Sequence, residues 1–419
     1  MLRTRVLLTA LGLGGSAIAF LAHTWILSSF GASIELDRYI AASSVPLSVA
    51  GTISGVLVYL LPQYMTTLDE EDKWLLLIGG SLTIFSAGVL ATAAVTISMA
   101  VHFNISTIGL ATLFIGVATL SLATTLFVCA AQSVGSYLSS GSIPFVSALG
   151  LFAGAAGSIS FTEFWFFPIG QFFGVIAAYL LSLGSVSAPV YKKRNFSLKR
   201  FFAIGKPLLS QATPIALGTI AFTLFPMLDA WLCRNLPSGS LSIMAYSQRI
   251  AVALGTAISF GAFAVAARLS RDVLIQRGIS AVISMANKEA ARILFLGVVA
   301  WVIFRLFGVP ALEVALASDN FESEQVDQLA KVLNWVIFGV GPMAVTPYIF
   351  RIFYTLRMFK TPAVIGIILP FIYVVGGSLA SKEFGVAGLG AVYATTWWLA
   401  LIASAMALNF PRFSGDKLS

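Results

Sequence analysis

The stretch SLSIMAYSQRIAVALGTAISFGAFAVAARLS, residues 240–270, carries a single charged side chain, Arg249, before Arg268 is reached. It is longer than the roughly 20 apolar residues that cross a bilayer. The rest of the chain reads the same way. Of 419 residues, 58% are hydrophobic and 10% charged, whereas a soluble domain carries about 25% charged residues. So few charges cannot cover a water-facing surface. The apolar runs are continuous and do not alternate with period two, which excludes a β-barrel. The fold class is therefore an all-α polytopic membrane protein.

On a 3.6-residue period, Ser242, Tyr246, Arg249, Ala253 and Thr256 fall on one face of the opening stretch. Ile250, Val252, Leu254 and Ile258 fall on the others. Arg249 is thus on a polar-to-small stripe, roughly 12 Å below the outer helix end. An arginine at that depth costs a few kcal/mol unless solvated or paired. Three readings are open: contact with an anionic substrate, an ion pair with Asp37 or Asp229, and snorkelling to the interface.

Windows of this kind recur about twelve times, over 6–30, 39–62, 74–100, 106–130, 143–160, 164–187, 206–231, 241–267, 290–309, 329–351, 361–380 and 386–409. The first, with Arg3 and Arg5 ahead of it, could pass for a signal peptide. Its apolar run continues to Phe30, which favours a first spanning helix. With the N-terminus inside, most of the 25 lysines and arginines fall on inner segments. Arg38, Arg234 and Lys382 fall outside, and the outer loop ALASDNFESEQVDQ is acidic. Both termini are therefore expected in the cytoplasm. The net charge of +8 needs no nucleic acid.

The basic segment YKKRNFSLKR follows six spans. It divides the chain into an N-terminal six-helix bundle (1–190), a cytoplasmic linker (191–205) and a C-terminal six-helix bundle (206–419). RDVLIQRGISAVISMANKEAAR is amphipathic and is expected to lie along the inner interface. The halves are faintly similar: Gly31 precedes span two as Gly239 precedes span eight. Paired halves suit a transporter with its path between them.

Span two carries a matching stripe of Asp37, Ala41, Ser44, Ser48, Thr52 and Gly55. Such small residues permit close helix approach or a cavity. Asp37 and Arg38 stand at its outer end, as interfacial cap residues or as gate or ligand groups. Asp229 has the same two readings at the end of span seven. His23, deep in span one, is either a neutral buried histidine or a proton-coupling group. Pro46, Pro168, Pro214, Pro226, Pro342, Pro347 and Pro370 interrupt spans and bend them. Cys129 and Cys233 suggest no disulfide, and His23 and His102 are isolated, so no metal or other cofactor is expected.

Three passages resemble the MurJ/MviN-type lipid flippases of the MOP superfamily. In FGASIELDRYIAASSVP with YLLPQY, Asp37, Tyr39, Pro46 and Pro62 match the family's wording. In PLLSQATPIALGTIAFTLFPMLDAWLCRNLPSGSLSIMAYSQRIAVALG, Pro207, Asp229, Gly239, Tyr246, Arg249 and Gly255 match. The third is RIFYTLRMFKTPAVIGIILP with FGVAGLGAVYATT. The resemblance implies two six-helix bundles around a central cavity. It also implies export of a lipid-linked oligosaccharide, on an undecaprenyl-diphosphate carrier, by alternating access. Arg249 would then hold the diphosphate, with Tyr246, Asp37, Ser44, Ser48 and Thr256 lining the path. Asp37, Asp229 and Arg38 would serve as gate or ion pair, and His23 as a coupling candidate. Lipid II flippases usually have two further C-terminal helices and further arginines in their first two helices. LGLGGSAIAFLAHTWILSSF and PLSVAGTISGVL contain none, which points toward a polysaccharide or O-antigen-type relative.

The expected partners are a lipid-linked glycan and the bilayer, with the chain acting as a monomer in the bacterial inner membrane. The alternative within the superfamily is an ion-coupled multidrug antiporter of the MATE type, which needs a carboxylate at the centre of a span. Asp37, Glu163 and Asp229 all lie near outer ends. An enzyme acting on the same lipid carriers would need clustered carboxylates or histidines, and the sequence has no such cluster.

Overall fold

The computed structural model describes residues 2–65, 67–100, 105–133, 137–185, 197–316, 321 and 323–410. His102, Lys192, Lys193, Arg194 and residues 317–320 and 322 of the acidic outer loop lie outside the described residues. The described chain is helical almost throughout. The helices are α1 (Leu2–Phe30), α2 (Ile34–Met65), α3 (Glu70–Ala100), α4 (Ile105–Ser133), α5 (Tyr137–Phe161), α6 (Phe166–Ser185) and α7 (Leu198–Thr223). They continue as α8 (Phe225–Leu232), α9 (Ser240–Arg277), α10 (Ile279–Leu316), α11 (Ser323–Phe338), α12 (Val340–Thr355) and α13 (Lys360–Asn409). Ten stretches of the described residues are long and apolar enough to cross a membrane.

Two expected spans are broken helices. The seventh is α7 followed by α8, with Pro226 in the first turn of α8. The tenth is α11 followed by α12, interrupted at Gly339 and resumed just ahead of Pro342. Proline has no N–H to donate and is tolerated in a first turn, so each break costs little there. The last two expected spans form the single stretch α13, whose backbone leaves the helix at Gly385 (φ 58°, ψ −144°). The amphipathic stretch 271–292 spans a helix junction: it is the end of α9 and the start of α10, two 38-residue helices joined through Gly278 at φ 80°.

The chain divides into two compact units. The first comprises Met1–Ile26 and Arg38–Ala216, the second Leu27–Asp37 and Leu217–Ser419. In the first unit, Leu61, Met65, Leu75, Leu126, Phe127 and Cys129 form a buried cluster. The end of the basic segment is fixed beside it. Arg200 reaches Asp72 at 2.6 Å, Glu71 at 3.1 Å and Asp69 at 3.5 Å. The Glu71 hydrogen bond, with help from Asp72, raises the ionisation of this guanidinium above its ordinary value.

Helices α5 and α6 of the first unit meet backbone to backbone. A methyl group on Gly150, Gly154, Gly170 or Gly174 would run into the main chain of the facing helix. Small residues four apart on both helices permit this approach. In the second unit, Phe225, Tyr373, Tyr393 and Trp397 form a ring cluster, with Phe225 at 4.9 Å from Tyr373 and 5.2 Å from Tyr393.

Candidate functional site

In the second unit, α9 starts from Gly239, which has φ 88° and no side-chain cap of its own. The first N–H groups of a helix need acceptors and carry partial positive charge. Asp37 supplies the acceptor from a distant part of the chain. The Gly239 N–H donates to Asp37 Oδ2 at 2.7 Å, and the Ser242 N–H to Asp37 Oδ1 at 2.8 Å. The Ser242 hydroxyl donates to the same Oδ1 at 2.5 Å. Asp37 thus caps the start of α9, while at the start of its own helix it is the Ser33 hydroxyl that accepts, from the Leu36 N–H at 3.4 Å. The approach depends on glycine, because a Cβ at Gly239 would strike the carbonyl oxygen of Ala32. Gly31 is also left-handed, at φ 67°, so the two glycines paired in the sequence share a backbone conformation. Gly239→Ala is expected to cost about 1–3 kcal/mol through the left-handed backbone alone, read as a lower unfolding temperature of the purified protein.

One turn further along α9, Tyr246 is buried and the Arg249 guanidinium stands 5.2 Å from the centre of its ring. This is cation–π distance. Of the stripe read from the sequence, Ser242 and Tyr246 are buried and Arg249 and Ala253 half-buried; on the other faces Val252 is 51% exposed, and Ile250, Leu254 and Ile258 are half-buried. Thr256 is half-buried on the same stripe.

Asp229, on α8, is fully buried. Gln248 Nε2 donates to its Oδ2 at 2.7 Å, and the Tyr373 hydroxyl donates to Oδ1. Both oxygens of a buried carboxylate are thereby served, as such a group requires. The described partners of Asp37 and Asp229 are therefore backbone amides, a hydroxyl, an amide and a phenol, and not Arg249. Gln248 and Tyr373 escaped the sequence reading. Gln248 is adjacent to Arg249 but projects from a different face of α9, and Tyr373 lies 144 residues from Asp229.

In the first unit, Ser44 and Ser48 are 4% and 5% exposed, and Ser44 Oγ donates to the Ala41 carbonyl at 2.8 Å. Arg38 is exposed. Tyr39 is buried among Phe114, Phe164 and Phe167, and its hydroxyl donates to Gln171 at 2.8 Å. His23 meets Phe167 edge to face at 5.4 Å. Cys129 and Cys233 are buried free thiols. Among the described residues no three His, Cys, Asp or Glu side chains converge as metal ligands. The arrangement offers one guanidinium on a small, polar helix face, close to a carboxylate-capped helix start.

The family model described as Lipid II flippase MurJ matches residues 26–411. A curated protein of Chlamydia trachomatis serovar D, described as a probable lipid II flippase MurJ, is 24% identical over 212 residues. That match spans 48% of this chain and 39% of the relative's own length. Solved structures share the fold. One described as lipid II flippase MurJ in an inward closed conformation has a TM-score of 0.78 at 17% identity, over 96% of this chain and 87% of that one. The Vibrio cholerae MATE transporter VcmN in its bent form has a TM-score of 0.63 at 14% identity, over 99% and 100%. A MOP superfamily transporter from Pyrococcus furiosus has 0.67 at 12% identity, over 99% and 96%. A closer kinship with polysaccharide or O-antigen-type exporters is not supported, since the family model, the curated relative and the structure at 0.78 all carry the MurJ name. This polytopic membrane protein belongs to the MurJ lipid II flippase family.

Proposed function

We propose that the chain exports a lipid-linked cell-wall precursor, an undecaprenyl-diphosphate-linked glycan of the lipid II class, across the bacterial cytoplasmic membrane by alternating access. The observation that carries this reading is Arg249, the one charged side chain of α9 ahead of Arg268, steadied over the Tyr246 ring. An arginine fork matches phosphate oxygens, and a diphosphate carrier supplies them. The half-buried Thr256 on the same stripe gives the glycan a polar neighbour. The lysine and arginine bias places both termini in the cytoplasm, and the chain acts as a single copy. The Asp37 cap of α9 serves as a gate contact, closed in one state of the cycle and released in the other. The family's members are transporters, and no chemical step is assigned to the chain.

The test is reconstitution. Purified protein in vesicles should move a fluorescent lipid-linked disaccharide-peptide between leaflets faster than empty vesicles do. Equal rates would overturn the reading. The MATE-type alternative rests on the shared fold. Ion-dependent efflux of cationic drugs, with no movement of the lipid-linked glycan, would favour it.

A further inference from the structure

Two cations inside the apolar spans have no part in the mechanism above: Arg305 on α10 and Lys331 on α11. Between Ile293 and Leu312, Arg305 is the only charged residue. It is itself exposed, and so are its neighbours Val302 (42%), Ile303 (55%), Leu306 (64%) and Phe307 (64%). That surface belongs to lipid. Among the described residues no carboxylate pairs with Arg305. An arginine among acyl chains is costly without a counter-ion.

Arg305 opens onto a cavity of about 380 Å³, shared with Val309 on α10 and with Asp327, Lys331, Asn334 and Trp335 on α11. This is within the range of small-molecule sites, about 300–1,000 Å³. Lys331 is already matched by Asp327 at 2.6 Å, so the lining keeps one uncompensated positive charge. The Asn334 Oδ1 atom is buried without a hydrogen-bond partner. It is an acceptor in want of a donor. Trp335, 45% exposed, presents an indole at the rim, as aromatic side chains do at membrane interfaces. The depths agree. Arg305 lies eight residues from Glu313, and Lys331 eight from Ser323, so each is about 12 Å along its helix from those polar positions.

We propose that this cavity binds the headgroup of an anionic glycerophospholipid, with its phosphodiester on Arg305 and the acyl chains along Val302 and Leu306. One net positive charge suits a singly charged phosphodiester, such as that of phosphatidylglycerol. The termini orientation proposed above puts the site in the outer leaflet. Binding itself does not depend on that orientation or on the transported substrate.

The experiment is native mass spectrometry of the full chain in detergent, titrated with dioctanoyl phosphatidylglycerol. Dioctanoyl phosphatidylcholine, dioctanoyl phosphatidic acid and inorganic phosphate are titrated in parallel. Wild type should prefer phosphatidylglycerol to phosphatidylcholine by about tenfold, and Arg305→Ala should lose about tenfold in affinity. Phosphatidic acid, whose phosphate also reaches Arg305, should likewise lose about tenfold in Arg305→Ala. Lys288→Ala, an exposed cation outside the cavity, should change nothing, and size-exclusion profiles report folding of each variant. Unchanged binding in folded Arg305→Ala overturns the proposal. So does an equal loss in Lys288→Ala, which marks general surface charge. Displacement of the lipid by inorganic phosphate at equal concentration would make this a free-anion site and overturn the lipid assignment.

Discussion

Arg249→Ala is expected to cut the rate of lipid-linked glycan movement by at least about tenfold, and up to roughly 100-fold, because a hydrogen bond to a charged group contributes about 1.5–3 kcal/mol. The protein should still insert at normal abundance, since an apolar side chain is easier to place in a spanning helix than an arginine. Arg249→Lys separates charge from geometry. It keeps the cation but loses the planar fork and much of the stacking on Tyr246, so it should fall between wild type and alanine. The readout is the initial rate of movement in vesicles at matched protein content. A normal rate for Arg249→Ala would remove this residue from the substrate path and, with it, the main support for the diphosphate reading.

The second large effect is expected at Asp37. Its carboxylate accepts from the Gly239 and Ser242 amides and from the Ser242 hydroxyl. Removing it orphans all three donors, and each buried unsatisfied group costs about 1–3 kcal/mol. Asp37→Ala should therefore speed hydrogen exchange of the Gly239 and Ser242 amides by about tenfold to 100-fold or more, as the start of α9 opens more often. Asp37→Asn keeps one acceptor oxygen and should show a smaller change. The two outcomes also bear on the cycle. If the cap is a gate contact, Asp37→Ala changes transport as well as exchange. If exchange rises while transport holds, Asp37 is a structural cap alone. Unaltered exchange would mean that something other than the carboxylate secures the helix start.

Local physics made much of this fold readable. Apolar run length marked the spans, because a bilayer imposes it; of the seven prolines read as interruptions, Pro226 and Pro342 stand where α8 and α12 begin, while Pro214, Pro347 and Pro370 lie inside helices. The 3.6-residue period on residues 242–256 grouped Ser242 and Tyr246, which are buried, but Arg249, Ala253 and Thr256 are in the same half-buried class as Ile250, Leu254 and Ile258. In the 271–292 stretch the amphipathic pattern did not reveal the junction, because it runs unbroken across Gly278, where α9 ends and α10 begins. The partners of Asp37 stand 202 and 205 residues away. No periodicity links positions that far apart. Nor could it tell that Gln248 would serve Asp229 while its neighbour Arg249 turns to Tyr246. Arg305 had a legible signal, a lone cation in an apolar run, but its cavity exists only once α10 and α11 are side by side.

The glycine contact between α5 and α6 has a mechanical consequence. Helices that meet through side chains can shear, because rotamers adjust as ridges slip over grooves. Here Gly150 and Gly154 abut Gly170 and Gly174 with only main chain between them. There is no pliable layer to take up a displacement. The two helices must travel as one stiff beam through any conformational cycle, and whatever bends in this unit must bend elsewhere.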